Sequence, residues 1–86
     1  MEINKLISNL KNKLNENFKI SSINIEDKTF LHKEHKSFDN NKFHLKLEIN
    51  SKELKAMKSI DANRKIFHVL KQELDIYIHS LIIKIN

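Results

Sequence analysis

The alternation Phe43-His44-Leu45-Lys46-Leu47-Glu48-Ile49 narrows the choice of fold more than any other feature of the chain. Apolar side chains at every second position suit a pleated strand with one face on a core and the other in water. Upstream the period changes: Ile3, Leu6, Ile7, Leu10 and Leu14 recur at helical spacing and predict an amphipathic helix over about residues 3–15. Ile23 and Ile25 alternate with polar neighbours, which predicts a strand over about 19–28. Downstream, Ser51 can cap a short helical turn through Leu54 and Met57. Asp61 can cap a longer helix whose inner stripe is Ile66, Phe67, Leu70 and Leu74. The β-branched run over 78–85 predicts a third strand.

The order is therefore helix, strand, strand, helical turn, helix, strand. Its economical arrangement is an α+β domain, a three-stranded sheet with the helices packed on one face. The first two strands would form a hairpin-like pair joined by the polar segment 32–41. With no glycine in the chain, Asp39-Asn40-Asn41 is the natural place to turn. This topology resembles a type II KH-like domain.

Eighty-six residues are enough for one domain, near the small end of what folds without a staple. No cysteine is present, so the chain can supply neither a disulfide nor a thiolate ligand. Its apolar stretches are too short to span a membrane and its start lacks a signal-peptide layout, so a cytoplasmic protein is expected. Sixteen basic against eleven acidic residues give a net charge of +5. That field can attract nucleic acid or an acidic protein. The same lysines also fit solvated faces in a chain whose Lys, Asn and Ile usage suits an AT-rich genome.

The five histidines carry most of the chemical interest. His32 and His35 fall between the first two strands, His44 opens the second strand on its polar face, and His68 lies inside the long helix. His79 falls where that helix gives way to the last strand. Imidazole suits zinc, copper or iron, so loop and strand-end histidines together can hold a metal. Spacing alone leaves a second reading open. His32 and His35 also fit exposed loop residues, and His68 a surface residue. His79 shares strand parity with Leu81, Ile83 and Ile85, which also fits a core-edge residue with a satisfied ring. No nucleophile elbow, phosphate loop or carboxylate pair near a histidine points to an enzyme.

Asp27-Lys28-Thr29-Phe30-Leu31-His32, followed by the strand from Phe43 to Ser51, resembles the BolA family. The family pattern there is Asp-x-Ser/Thr-x-x-His, then His-Phe-x-Val-x-Ile-x-Ser. Arg64, Phe67, Leu70, Glu73 and Leu74 are similar to its Arg-x-x-Tyr-x-x-Leu-x-x-Glu-Leu helix, and Ile78-His79-Ser80-Leu81 to its Val/Ile-His-Ala-Leu signature. The pieces lie in register across nearly the whole chain.

The resemblance implies one KH-like BolA domain over residues 1–86, a monomer when free. It implies a heterodimer with a monothiol glutaredoxin (with its glutathione) that shares a [2Fe-2S] cluster, in cluster binding, trafficking or iron sensing. Imidazoles would replace part of the sulfur ligation: His79 as the C-terminal ligand, His32 as the loop ligand, and His35 as its nearest substitute. BolA-like proteins also act as transcriptional regulators, which makes duplex DNA the alternative partner. Lys52, Lys55, Lys58, Arg64, Lys65 and Lys71, within 51–76, would then meet the phosphates. Gripping RNA by a Gly-x-x-Gly loop is not open to a chain without glycine. Where the family has Arg-His-Arg at the start of the long helix, this chain has Ala62-Asn63-Arg64, so only one cation of that triplet remains.

Overall fold

The computed structural model describes residues 2–29 and 42–86. Helix α1 (Ile3–Asn17) starts where the Glu2 side chain accepts the Asn4 N–H at 3.3 Å. It buries Leu6, Leu10 and Leu14, a stripe at four-residue spacing. It ends at Phe18, whose backbone turns extended and whose N–H bonds to the Leu14 carbonyl at 2.9 Å.

Strand β1 (Ser22–Asp27) pairs antiparallel with β2 (Phe43–Asn50), from Ser22 opposite Asn50 to Asp27 opposite Leu45. Strand β3 (Ile78–Ile85) lies parallel to β2 on its other side, giving the order β1-β2-β3. Parallel neighbours need a long crossover. Helices α2 (Lys52–Lys55), α3 (Ser59–Val69) and α4 (Lys71–Ile76) provide it. Ile25, Leu45, Leu47 and Ile49 line the inner face of the sheet and join one core with Leu6, Leu10, Leu14, Leu54, Ile66 and Leu70. This is the predicted α+β sheet with its helices on one face, in keeping with a KH-like arrangement.

Ser51 caps α2 as its sequence predicts: its Oγ accepts the Leu54 N–H at 3.2 Å and donates to the Lys19 carbonyl at 2.6 Å. Three details differ from the sequence reading. Strand β1 is shorter than 19–28. The long helix starts at Ser59 with Lys58 at its cap, not Asp61: the Ala62 N–H already closes the first helical turn onto the Lys58 carbonyl, at 3.0 Å. Asp61 instead sits in the first turn, where a carboxylate meets the positive end of the helix. Phe67 is not in the inner stripe; it is 41% exposed. Ala62, Ile66 and Leu70 set the buried line, and the residue after Ile66 points about 100° away from it.

The predicted helix also breaks at Leu70 (φ −98°, ψ 10°), so that α3 lies on α1 while α4 packs on β3. Inside this arrangement Glu73 is buried, and both its carboxylate oxygens take the Lys13 ammonium, at 2.6 and 2.8 Å. None of the described residues has a positive φ, so the glycine-free chain makes these connections without a left-handed residue. The turn assigned to Asp39-Asn40-Asn41 lies outside the described residues. Among those described, no helix is long and apolar enough to cross a membrane.

Candidate metal-ligand site

Strands β2 and β3 start at the same end of the sheet, and there the ladder is irregular. Phe43 pairs with Ile78, but the next residue, His44, pairs with Ser80. Strand β3 thus advances by two residues while β2 advances by one, and His79 is the extra residue of a β-bulge. Such bulges re-aim a side chain that regular alternation would send elsewhere. Ile78 faces the core, Leu81, Ile83 and Ile85 resume facing it after the bulge, and His79 is exposed between them. The bulge cancels the parity that made His79 look like a core-edge residue.

His44 departs from expectation in the opposite direction. It lies on the outer side of β2, yet it is 6% exposed rather than wet. Its ring meets the His79 ring at a centroid distance of 4.8 Å with the planes tilted by 38°. Its Nδ1 hydrogen-bonds the Ser80 hydroxyl at 2.7 Å. Its backbone is held at both polar groups by the chain leaving β1: the N–H donates to Thr29 Oγ1 at 3.1 Å, and the carbonyl accepts the Lys28 N–H at 2.7 Å. Thr29 is itself folded back on Asp27, donating its N–H (2.9 Å) and its hydroxyl to the same carboxylate oxygen. The Asp27-x-Thr29 motif therefore fastens the chain leaving β1 to the first residues of β2. His32 and His35 lie outside the described residues.

On its other side His79 borders an open groove of about 530 Å³, shared with Arg64, Phe67, His68, Lys71 and Ile78. Phe67 and Ile78 are apolar, Arg64 and Lys71 are cationic, and Lys71 is paired with Asp75 at 3.1 Å. His68 is exposed, as a surface residue should be. Among the described residues no three His, Asp or Glu side chains converge as a metal site would require. An exposed imidazole beside a groove, without a closed ligand set, fits donation of one ligand to a group whose other ligands come from elsewhere.

The basic residues put forward for nucleic acid are all exposed but dispersed. Lys52 and Lys55 belong to α2, with Lys55 donating to the Ile85 carbonyl at 3.3 Å. Lys58, Arg64 and Lys65 surround a hollow that also holds Asp61, and Lys71 is engaged by Asp75. The residue that sequence reasoning passed over is His44. A signal for it was present, since His44, Leu47, Ile49 and Ser51 match the His-x-x-Val-x-Ile-x-Ser positions of the family strand.

The sheet order and the crossover of helices define a class of small α+β domain. Residues 14–86 match the BolA family, described as BolA-like protein, and the chain belongs to that family. Its fold is similar to BolA1 from Arabidopsis thaliana, with a TM-score of 0.74 and 27% identity over 92% of this chain and 87% of that one. It is also similar to the BolA domain of SufE1 from Arabidopsis thaliana, with a TM-score of 0.76 and 24% identity over 92% and 87% of the two chains. A bol-like protein from Babesia bovis shares the fold at a TM-score of 0.69 and 14% identity, over 91% and 79%. No curated protein matches the chain.

Proposed function

We propose that this protein works with a monothiol glutaredoxin and its glutathione, lending imidazole ligands to a [2Fe-2S] cluster shared between the two. The cluster is cargo rather than a resident group, and the role is cluster binding, trafficking or iron sensing, not catalysis. The observation that carries the reading is the placement of His79. A bulge turns this one residue of β3 outward, beside an open groove that a partner can enter. A chain without cysteine depends on that partner for sulfur. The second imidazole would come from His32 or His35, both between β1 and β2 in sequence. The free protein is then a monomer and the working unit a cytoplasmic heterodimer.

Mixing the protein with cluster-loaded monothiol glutaredoxin tests this directly. A one-to-one complex with altered visible absorption and dichroism is expected. His79→Ala should abolish the alteration; if the spectrum stays as in the wild type while the complex forms, His79 is not a ligand. His32→Ala and His35→Ala, taken separately, identify the loop ligand. The alternative, a duplex DNA-binding regulator, draws on the exposure of Lys52, Lys55, Lys58, Arg64, Lys65 and Lys71.

A further inference from the structure

We infer that His44 is a positioning residue for His79, a buried imidazole wall that holds the exposed ring in one orientation. The inference rests on the ligand role proposed for His79 and extends it to a residue that would not touch the cluster.

The bulge makes the arrangement possible. By shifting the register it sets Ser80 opposite His44 and leaves His79 next to both. Ser80 then ties the His44 ring through Nδ1, at 2.7 Å. The His44 backbone is held by the chain leaving β1, its N–H by Thr29 and its carbonyl by Lys28. A buried ring tied through Nδ1, on a backbone held at both its N–H and its carbonyl, is a rigid surface. The 4.8 Å contact with His79 lies in the range where aromatic rings attract in offset or tilted geometry.

An exposed histidine otherwise samples several rotamers, and a ligand that must point one way loses that freedom on binding. Packing against His44 removes part of that freedom beforehand. The two rings thereby divide the work. His44 has Nδ1 occupied by Ser80 and is inaccessible, whereas His79 remains open to a partner. Hydrogen-bonded groups that orient a metal-ligating histidine commonly matter about 10- to 100-fold in affinity, and the packed His44 ring acts on the same orientation.

The test compares His44→Ala, His44→Phe and Ser80→Ala with the wild type, first in the free protein by NMR. In His44→Ala, the ring-proton shifts of His79 should move toward those of an unstacked histidine and its χ1 couplings should average. His44→Phe, which restores an aromatic wall, should recover most of both. Ser80→Ala keeps the ring but loosens it and should fall between. In the complex with cluster-loaded glutaredoxin, His44→Ala should lose the cluster roughly 10- to 100-fold faster, with His44→Phe rescuing most of the loss. Unchanged His79 couplings in a folded His44→Ala overturn the inference, as does full cluster retention once His79 has become disordered. If His44→Ala fails to fold, Ser80→Ala with unchanged His79 shifts and couplings overturns it instead. A wild type that shows no altered cluster spectrum overturns the ligand role itself, and with it the purpose assigned to His44. The free-protein couplings separate that failure from a failure of the wall alone.

Discussion

Lys28 serves the site's edge through two chemically separate groups. Its backbone N–H reaches the His44 carbonyl, and its ammonium meets Glu26 at 2.7 Å. The hydrogen bond and then the charge of that ammonium hold the Glu26 carboxyl below the usual carboxylate range. Because the folded-state pKa is depressed, the pair's small contribution to stability is present above the ordinary carboxylate pKa. It fades as pH falls through the depressed one. Lys28→Ala should raise the Glu26 titration toward the ordinary range in an NMR titration of its carboxyl carbon, while the His44 carbonyl-carbon shift stays in place because the backbone bond survives. An unmoved Glu26 titration would show that Lys28 is not the cause. At this scale local alternation misled in two places. Alternation assigns a residue to a side of the sheet but not what covers that side, so His44 read as wet. It also presumes an unbroken ladder, so His79 read as paired in parity with Leu81.

Among the described elements, apolar period and capping residues located the three strands, the first helix and the helical crossover, and the disagreements fall at element ends, in helix rotation and at the break at Leu70. The long helix shows why. Ile66 and Phe67 are both apolar neighbours in sequence, and only packing against α1 decides which faces inward. Ile66 is wholly buried, so Ile66→Ala should cost about 2–5 kcal/mol in urea unfolding. Phe67 borders the groove rather than the core, and Phe67→Ala should stay within about 1 kcal/mol of the wild type. Equal losses for the two would mean that the inner stripe is the one the sequence predicted. The interruption at Leu70 has a consequence for the site, because it lets α4 follow β3 and form the groove wall beside His79.

Among the described residues, one core lies on one side of a three-stranded sheet, and His79 stands at the end where β2 and β3 begin. The net charge of +5 bears on the competing DNA reading. If the six exposed basic residues of the helical region all met phosphates, affinity for a duplex would fall steeply with salt, with a log–log slope of about −5. A fluorescence anisotropy titration at several salt concentrations checks this. A flat dependence, or no binding at low salt, removes the DNA reading and leaves the cluster reading untouched.

The α+β class, the order of the elements and the family motifs follow from the sequence alone, because hydrophobic period, capping residues and motif spacing are local properties of the chain. The family strand pattern even held a trace of His44. The outward turn of His79, the burial of His44 beside it and the groove lined by Phe67 were decided only in three dimensions. Each depends on how two strands register and how a helix is rotated against its neighbour, and those are set by contacts between residues far apart in the chain.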